Sequence, residues 1–219
     1  MIAKNFLTSE IEKVNTVLNL GSGKIDEWML PSKKQLMLNV DGSYPDCCNN
    51  NEETEILKIH EKTMLDGICA EPHMFNVESD IFEFIDAYMY KFDLIIANRI
   101  LEHMFYDSGE IGRLLSGCHS LMADGGKMIL IVPDHQKIFD MAIKWKPKTF
   151  EEAMRNALII NTECCNTRSD PHGSIWTPEL TRMYIEQEGI FNIQQATNDV
   201  VWDDRDCYMI IELTKKNDK

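Results

Sequence analysis

The sequence lacks a long hydrophobic run. No apolar stretch approaches the ~20 residues of a membrane-spanning helix, so no membrane partner is expected. Met1-Ile2-Ala3-Lys4-Asn5 has none of the extended apolar character of a secretory leader, which makes a soluble cytoplasmic protein the expectation. Positive charge is scarce: 22 Lys and Arg stand against 36 Asp and Glu, a net charge of −14. Such a surface repels phosphate backbones, and general affinity for nucleic acid is not expected. The one short basic run, Lys144-Trp145-Lys146-Pro147-Lys148, reads as a solvated loop. C-x-x-C spacing is missing as well. The seven cysteines (Cys47, Cys48, Cys69, Cys118, Cys164, Cys165, Cys207) are an odd count with two adjacent pairs. That fits reduced thiols better than a disulfide framework or a zinc site, and no motif supports a bound metal. There is no internal repeat and no low-complexity tract.

What is present is a chain of 219 residues, 44% of them apolar, enough for a single domain over 1–219 with a real core. Its organising stretch is Thr16-Val17-Leu18-Asn19-Leu20-Gly21-Ser22-Gly23. Val17 to Leu20 is a short apolar run that enters a Gly-Ser-Gly turn, the pattern of a central strand in a parallel sheet. Glycine tolerates positive φ and lets a ligand approach the backbone where a Cβ would block it. The next strand, Gln35 to Val40, ends in Asp41, twenty positions after Gly21. A glycine turn after one strand and an acid after the next is the layout of a nucleoside-binding α/β fold, the acid accepting from a ribose diol. Only eleven residues, Pro31 among them, separate Gly23 from Gln35. A full crossover helix does not fit there, which argues against a pyrophosphate ligand.

Strand and helix patterns alternate along the rest of the chain. Residues 6–14 carry a weak amphipathic pattern with Thr8 or Ser9 as cap. Residues 52–65 read as a surface helix, acids early and lysines late. Met74 to Val77 and Phe92 to Asn98 read as strands. Ser108 is placed to cap a helix whose apolar face is Ile111, Leu114, Leu115, Cys118 and Met122, and Asp124-Gly125-Gly126 to end it. Lys127 to Val132 reads as a buried strand, and residues 136–143 and 149–160 as helical. Thr177-Pro178-Glu179 opens a further helix that Gly189 closes. Phe191 to Thr197 and Asp206 to Leu213 are two late strands expected to pair antiparallel. The fold class is therefore α/β: a single Rossmann-like, doubly wound, mostly parallel sheet with an antiparallel C-terminal strand pair.

These residues together resemble the class I S-adenosylmethionine-dependent methyltransferases, in a poorly characterised subset. The resemblance covers roughly 16–135, with a plausible continuation to 213. It is carried by Leu18-Asn19-Leu20-Gly21-Ser22-Gly23, Asn39-Val40-Asp41, Ser79-Asp80-Ile81, Phe92 to Asn98, Leu101-Glu102-His103 and Ala123-Asp124-Gly125-Gly126. It implies S-adenosyl-L-methionine as cofactor, with contacts at Asn19, Leu20, Gly21, Ser22, Gly23, Asp41, Gly42, Asp80, Ile81, Asn98 and Arg99. Gly21 and Gly23 would lie against the methionine part, Asp41 would hold the ribose, Asp80 the adenine amino group with Ile81 against the ring, and Asn98 and Arg99 would face the sulfonium. The family has an acid where Asn19 stands and often a third glycine where Ile25 stands.

Each of these residues also has a plainer reading. The glycine turn is a tight connection, and Asp41 and Asp80 are helix or turn caps. His103, His172 and Asp134 are the candidate catalytic residues, a base being needed only where the acceptor must lose a proton. A packed or turn histidine is the alternative for the first two. His60, His73 and His119 read as surface residues. Residues 136–176 are expected to form the acceptor pocket or a lid over it. The expected activity is methyl transfer to a small-molecule or carbohydrate-like acceptor. The alternative is a protein of the same fold that binds cofactor or a partner without chemistry.

Overall fold

A computed structural model describes residues 2–21, 35–41, 50–66, 72–144, 146–155, 173–200 and 208–216. Its centre is a seven-stranded sheet in the order β3-β2-β1-β4-β5-β7-β6. The strands are β1 (Thr16–Leu20), β2 (Leu36–Asp41), β3 (His73–Glu78), β4 (Phe92–Asn98), β5 (Met122–Pro133), β6 (Phe191–Val200) and β7 (Tyr208–Lys215). The first five run parallel, and β7 lies antiparallel to both β5 and β6. The helices are α1 (Ile2–Ile11), α2 (Asn50–Asp66), α3 (Ile81–Ala87), α4 (Glu110–Leu121), α5 (His135–Lys144), α6 (residues 150–155) and α7 (Pro178–Glu188).

Alternation along the strands feeds two cores. Leu18, Leu38 and Ile95 share a register row and enter one core, into which α3, α4 and α7 send Ile85, Leu114 and Ile185. Val17, Met37 and Leu94, the adjacent row, enter the other, where Leu7 and Ile11 of α1 pack. Because β1 is buried on both faces, it reads in sequence as an apolar run broken only by Asn19 once past Thr16. At the opposite end from the site, Asp93 ties β4 to β1. Its Oδ2 accepts from the N–H groups of Asn15 and Thr16, both at 3.0 Å, and its own N–H donates to Thr16 Oγ1 at 2.9 Å.

Several local expectations change. The first helix starts before Thr8 and Ser9, so neither caps it. Gly109, with φ 77°, is the N-cap of α4. Ser108 instead accepts from the Glu110 N–H and donates to its Oε2. Asp124-Gly125-Gly126 lies inside β5, which begins at Met122 opposite Phe92 and is bulged before Lys127. His60 is fully buried, not a surface residue. Its Nδ1 is 2.7 Å from Tyr88 Oη and its Nε2 2.8 Å from the Lys91 carbonyl, so it fastens α2 to the segment entering β4. His73 and His119 are half-buried, each against an aromatic ring. The cap of α7 is as the sequence implies, with Thr177 Oγ1 accepting from Leu180 and Gly189 closing in the left-handed region.

Candidate functional site

The chain leaves β1 toward β2 and leaves β4 toward β5, so the order of the sheet reverses between β1 and β4. In an open α/β sheet the crevice at such a switch point, outside the carboxyl ends of the strands, is where ligands bind. Gly21, Asp41, Asn98 and Arg99 all stand at that edge.

Gly21 closes the edge of β1 from both sides. Its N–H donates to the Val40 carbonyl at 3.0 Å, which draws the bend against the end of β2 and brings Asp41, the next residue, beside it. Its φ is +65°, and a Cβ there would lie 1.8 Å from Ile100 Cγ2 and 3.1 Å from the Asn98 carbonyl oxygen. Both the dihedral and the space demand glycine, so the residue is explained by packing against the β4 exit as well as by access for a ligand. Asp41 is half-buried, and its register partner on β3 is Glu78.

The exit from β4 holds an unmatched polar atom. Asn98 is 3% exposed and its Oδ1 has no hydrogen-bond partner among the described residues. A buried carbonyl without a donor costs free energy and marks a place where a ligand donor fits. Arg99 follows with φ 55°, its N–H donating to Ile131 O at 2.9 Å. A 3-10 turn, Leu101–His103, comes next, and His103 is its half-buried last residue.

A strap, residues 173–176, lies over the ends of β4 and β5, at the end of the 136–176 stretch expected to form the acceptor pocket or a lid. Gly173 and Ser174 donate backbone N–H groups to the Glu102 carbonyl at 2.7 and 3.2 Å. Ser174 Oγ donates to Leu101 O and accepts from Trp176 Nε1, both at 2.8 Å. The Trp176 N–H donates to His135 Nδ1 at 3.0 Å, and the His135 N–H returns to Trp176 O at 2.9 Å. Burial pushes the His135 imidazole below its ordinary range, which suits a ring accepting a hydrogen bond while neutral. A side chain at Gly173 would strike Met104 O at 2.9 Å, so the strap approaches too closely for anything but glycine. No local pattern could reveal contacts whose partners stand 41 and 73 residues apart.

The other candidates are placed as follows. Asp80 caps α3, Oδ1 accepting from Phe82 and Glu83 N–H at 2.9 and 3.1 Å, and Ile81 packs against the first core. Asp134 is buried and caps α5, its Oδ1 accepting from Lys137 N–H at 3.1 Å. Asn19 is buried and donates to Asn39 Oδ1 at 3.0 Å, while Leu20 lies in the first core. Ser22, Gly23, Gly42 and His172 lie outside the described residues. Acceptors therefore gather at this edge, a carboxylate on β2 and an amide oxygen on β4. The set fits a ligand that presents hydroxyl and ammonium donors.

No family model and no curated protein matches the sequence. Solved structures do match the fold. The 1,6-didemethyltoxoflavin N1-methyltransferase of Burkholderia thailandensis, crystallised with 1,6-didemethyltoxoflavin and S-adenosylhomocysteine, aligns with a TM-score of 0.60 at 13% identity. The alignment covers 99% of this chain and 77% of that one. The N-methyltransferase NodS of Bradyrhizobium japonicum, in complex with S-adenosylhomocysteine, gives 0.54 at 11% identity over 99% of this chain and 87% of that one. An S-adenosylmethionine-dependent methyltransferase of Clostridium acetobutylicum gives 0.56 at 11% over 98% and 91%. The fold is that of the class I S-adenosylmethionine-dependent methyltransferases. At these identities the likeness speaks for the fold alone.

Proposed function

We propose that this chain is an S-adenosylmethionine-dependent methyltransferase acting on a small-molecule acceptor. The observation that carries the reading is the hydrogen bond from Gly21 to Val40, which sets Asp41 beside the glycine bend at the switch point. Asp41 accepts from the ribose hydroxyls, with Gly42 beside it. Leu20, Gly21, Ser22 and Gly23 offer main chain to the methionine part. Asn98 Oδ1, the buried acceptor at the β4 exit, takes the cofactor's ammonium group. Asp80 meets the adenine amino group beside its capping role, with Ile81 beneath.

Bound there, the cofactor supplies a methyl group on a sulfonium, a donor reactive enough that in-line alignment furnishes much of the rate. The chain's own work is then to align the acceptor and exclude water. Residues 136–176 form that acceptor region, and the strap at 173–176 closes its floor over β4 and β5. Exposed Phe139 and Ile143 on α5 and Ile175 on the strap favour a small organic acceptor. His103 and His172 are the candidate proton acceptors where the acceptor carries a proton to lose. Asp134, buried and used as a cap, serves as a support for α5 rather than as a base. No described helix is long and apolar enough to cross a membrane. The net charge of −14 speaks against a nucleic-acid acceptor.

Calorimetry with S-adenosylhomocysteine tests the reading. Binding to the wild-type chain that Asp41→Ala largely removes is the expected result. The absence of both heat and a thermal shift at millimolar ligand would overturn it. Binding without methyl transfer to any acceptor of a broad panel would favour the non-catalytic alternative.

A further inference from the structure

The basic run of the sequence lies at a built turn between α5 and α6. Lys146 takes φ 53° just past α5, and its N–H donates to the Ile143 carbonyl at 2.9 Å. Pro147 follows and fixes its own φ. Thr149 Oγ1 then accepts from Glu152 N–H at 3.1 Å, while Glu152 Oε2 accepts from Lys148 N–H at 2.8 Å. This reciprocal pair caps the start of α6. The turn is therefore held at both ends. Lys144, Lys146 and Lys148 are exposed, and none forms an ion pair among the described residues. A merely solvated loop would need nothing more. Here, however, two large apolar side chains flank the lysines, Ile143 at 63% and Phe150 at 76% exposure. Ile138 and Ala142 form the buried face of α5, and Ile143 is left outside it.

Charge and apolar surface together select the partner. From Met141 to Phe150 there are three lysines and no acid, in a chain whose net charge is −14. A nucleic-acid backbone would take the lysines but offers an aliphatic side chain nothing to enter. An uncharged apolar protein face would take Ile143 and Phe150 but leave the ammonium groups unmatched. The headgroup region of an anionic bilayer takes both, lysines at the phosphates and apolar side chains at the acyl boundary. The acidic remainder of the chain is no bar. Exposed charges are screened beyond about 8 Å at physiological ionic strength, so the element that meets the surface decides. Such a contact lies on the bilayer and asks for no spanning helix. We propose that the α5–α6 turn docks this protein on an anionic lipid surface, through Lys144, Lys146 and Lys148 with Ile143 and Phe150. The proposal does not depend on the methyltransferase reading.

Flotation of the full chain with lipid vesicles tests it. One set is phosphatidylcholine alone, the other phosphatidylcholine and phosphatidylserine in equal parts. The expected result is flotation with the mixed vesicles only, weakened by added salt. Lys148→Gln should lower the partition about fivefold, and changing all three lysines to glutamine should abolish it. Ile143→Ser combined with Phe150→Ser should lower it about tenfold. All five side chains are exposed, so each variant should keep the wild-type melting temperature. No flotation with the mixed vesicles, equal flotation with phosphatidylcholine alone, or wild-type flotation of the triple glutamine variant overturns the proposal. Wild-type flotation of the serine pair overturns it in favour of a contact through charge alone. A DNA duplex bound more tightly than the mixed vesicles, and lost in the triple variant, overturns it in favour of nucleic acid.

Discussion

Asn19 Nδ2 donates to Asn39 Oδ1 at 3.0 Å, and Asn39 Nδ2 donates in turn to Asn76 Oδ1 at 3.2 Å. The three asparagines occupy one register row of β1, β2 and β3 and form a polar ladder with a fixed direction. Restoring the family's acid would set a carboxylate oxygen against Asn39 Oδ1 in a buried row. Either the whole ladder reverses or two acceptors meet. Asn19→Asp should therefore lower stability by about 2 kcal/mol without tightening S-adenosylhomocysteine binding. Urea unfolding and calorimetry on the same variant check both halves.

Asn98 should separate stability from binding. Its Oδ1 is buried without a partner among the described residues, so removing it from the free protein relieves a cost instead of breaking a bond. Asn98→Leu is expected to hold or raise the melting temperature while weakening S-adenosylhomocysteine about tenfold, the loss of one hydrogen bond to a charged group. A parallel fall in both would mean that the side chain is structural.

Gly21→Ala should be severe for two independent reasons, the +65° φ and the 1.8 Å approach to Ile100 Cγ2. A loss of at least ~2 kcal/mol is expected. Shortening Ile100 to Ala relieves only the collision, so the double variant should recover part of that loss. A double-mutant cycle by chemical denaturation measures the coupling.

His60 makes stability fall in mild acid. Burial among Tyr88, Tyr90 and Phe92 pushes its pKa down from 6.5 to about 4, against the pull of the Lys91 carbonyl and Asp93. The folded pKa is the lower one, so between 6.5 and about 4 the unfolded chain binds the extra proton. Stability is full above 6.5 and is lost as pH falls through that window. From neutral pH to the lower end of the window the loss should be about 3 kcal/mol from this residue, and clearly smaller in His60→Gln. Denaturation curves across the window, with the ring titrated by NMR, decide it.

Much of this architecture was legible because its signals are local. The apolar run of β4, the cap at Thr177 and the closing Gly189 each follow from adjacent residues. The strand that runs into Gly21 and the strand that ends at Asp41 are legible to within one residue of their observed ends. The misreadings share one cause. His60 sits on a helix whose neighbours are charged, and only the packing of α2 against Tyr88 and Phe92 buries it. The capping role of Asp134 is equally non-local in its signal, since it depends on the helix that follows β5.

The sequence by itself determined the alternation of strand and helix, the glycine bend and the acid that follows it, since periodicity, φ tolerance and charge are properties of neighbouring residues. Only the tertiary structure decided that Asn19 joins a ladder with Asn39, that the Asn98 oxygen is buried without a donor among the described residues, and that the Arg99 guanidinium lies over the Tyr208 ring. Those outcomes depend on the register of strands distant in the chain, and register is fixed by the burial of whole faces, which no short stretch contains.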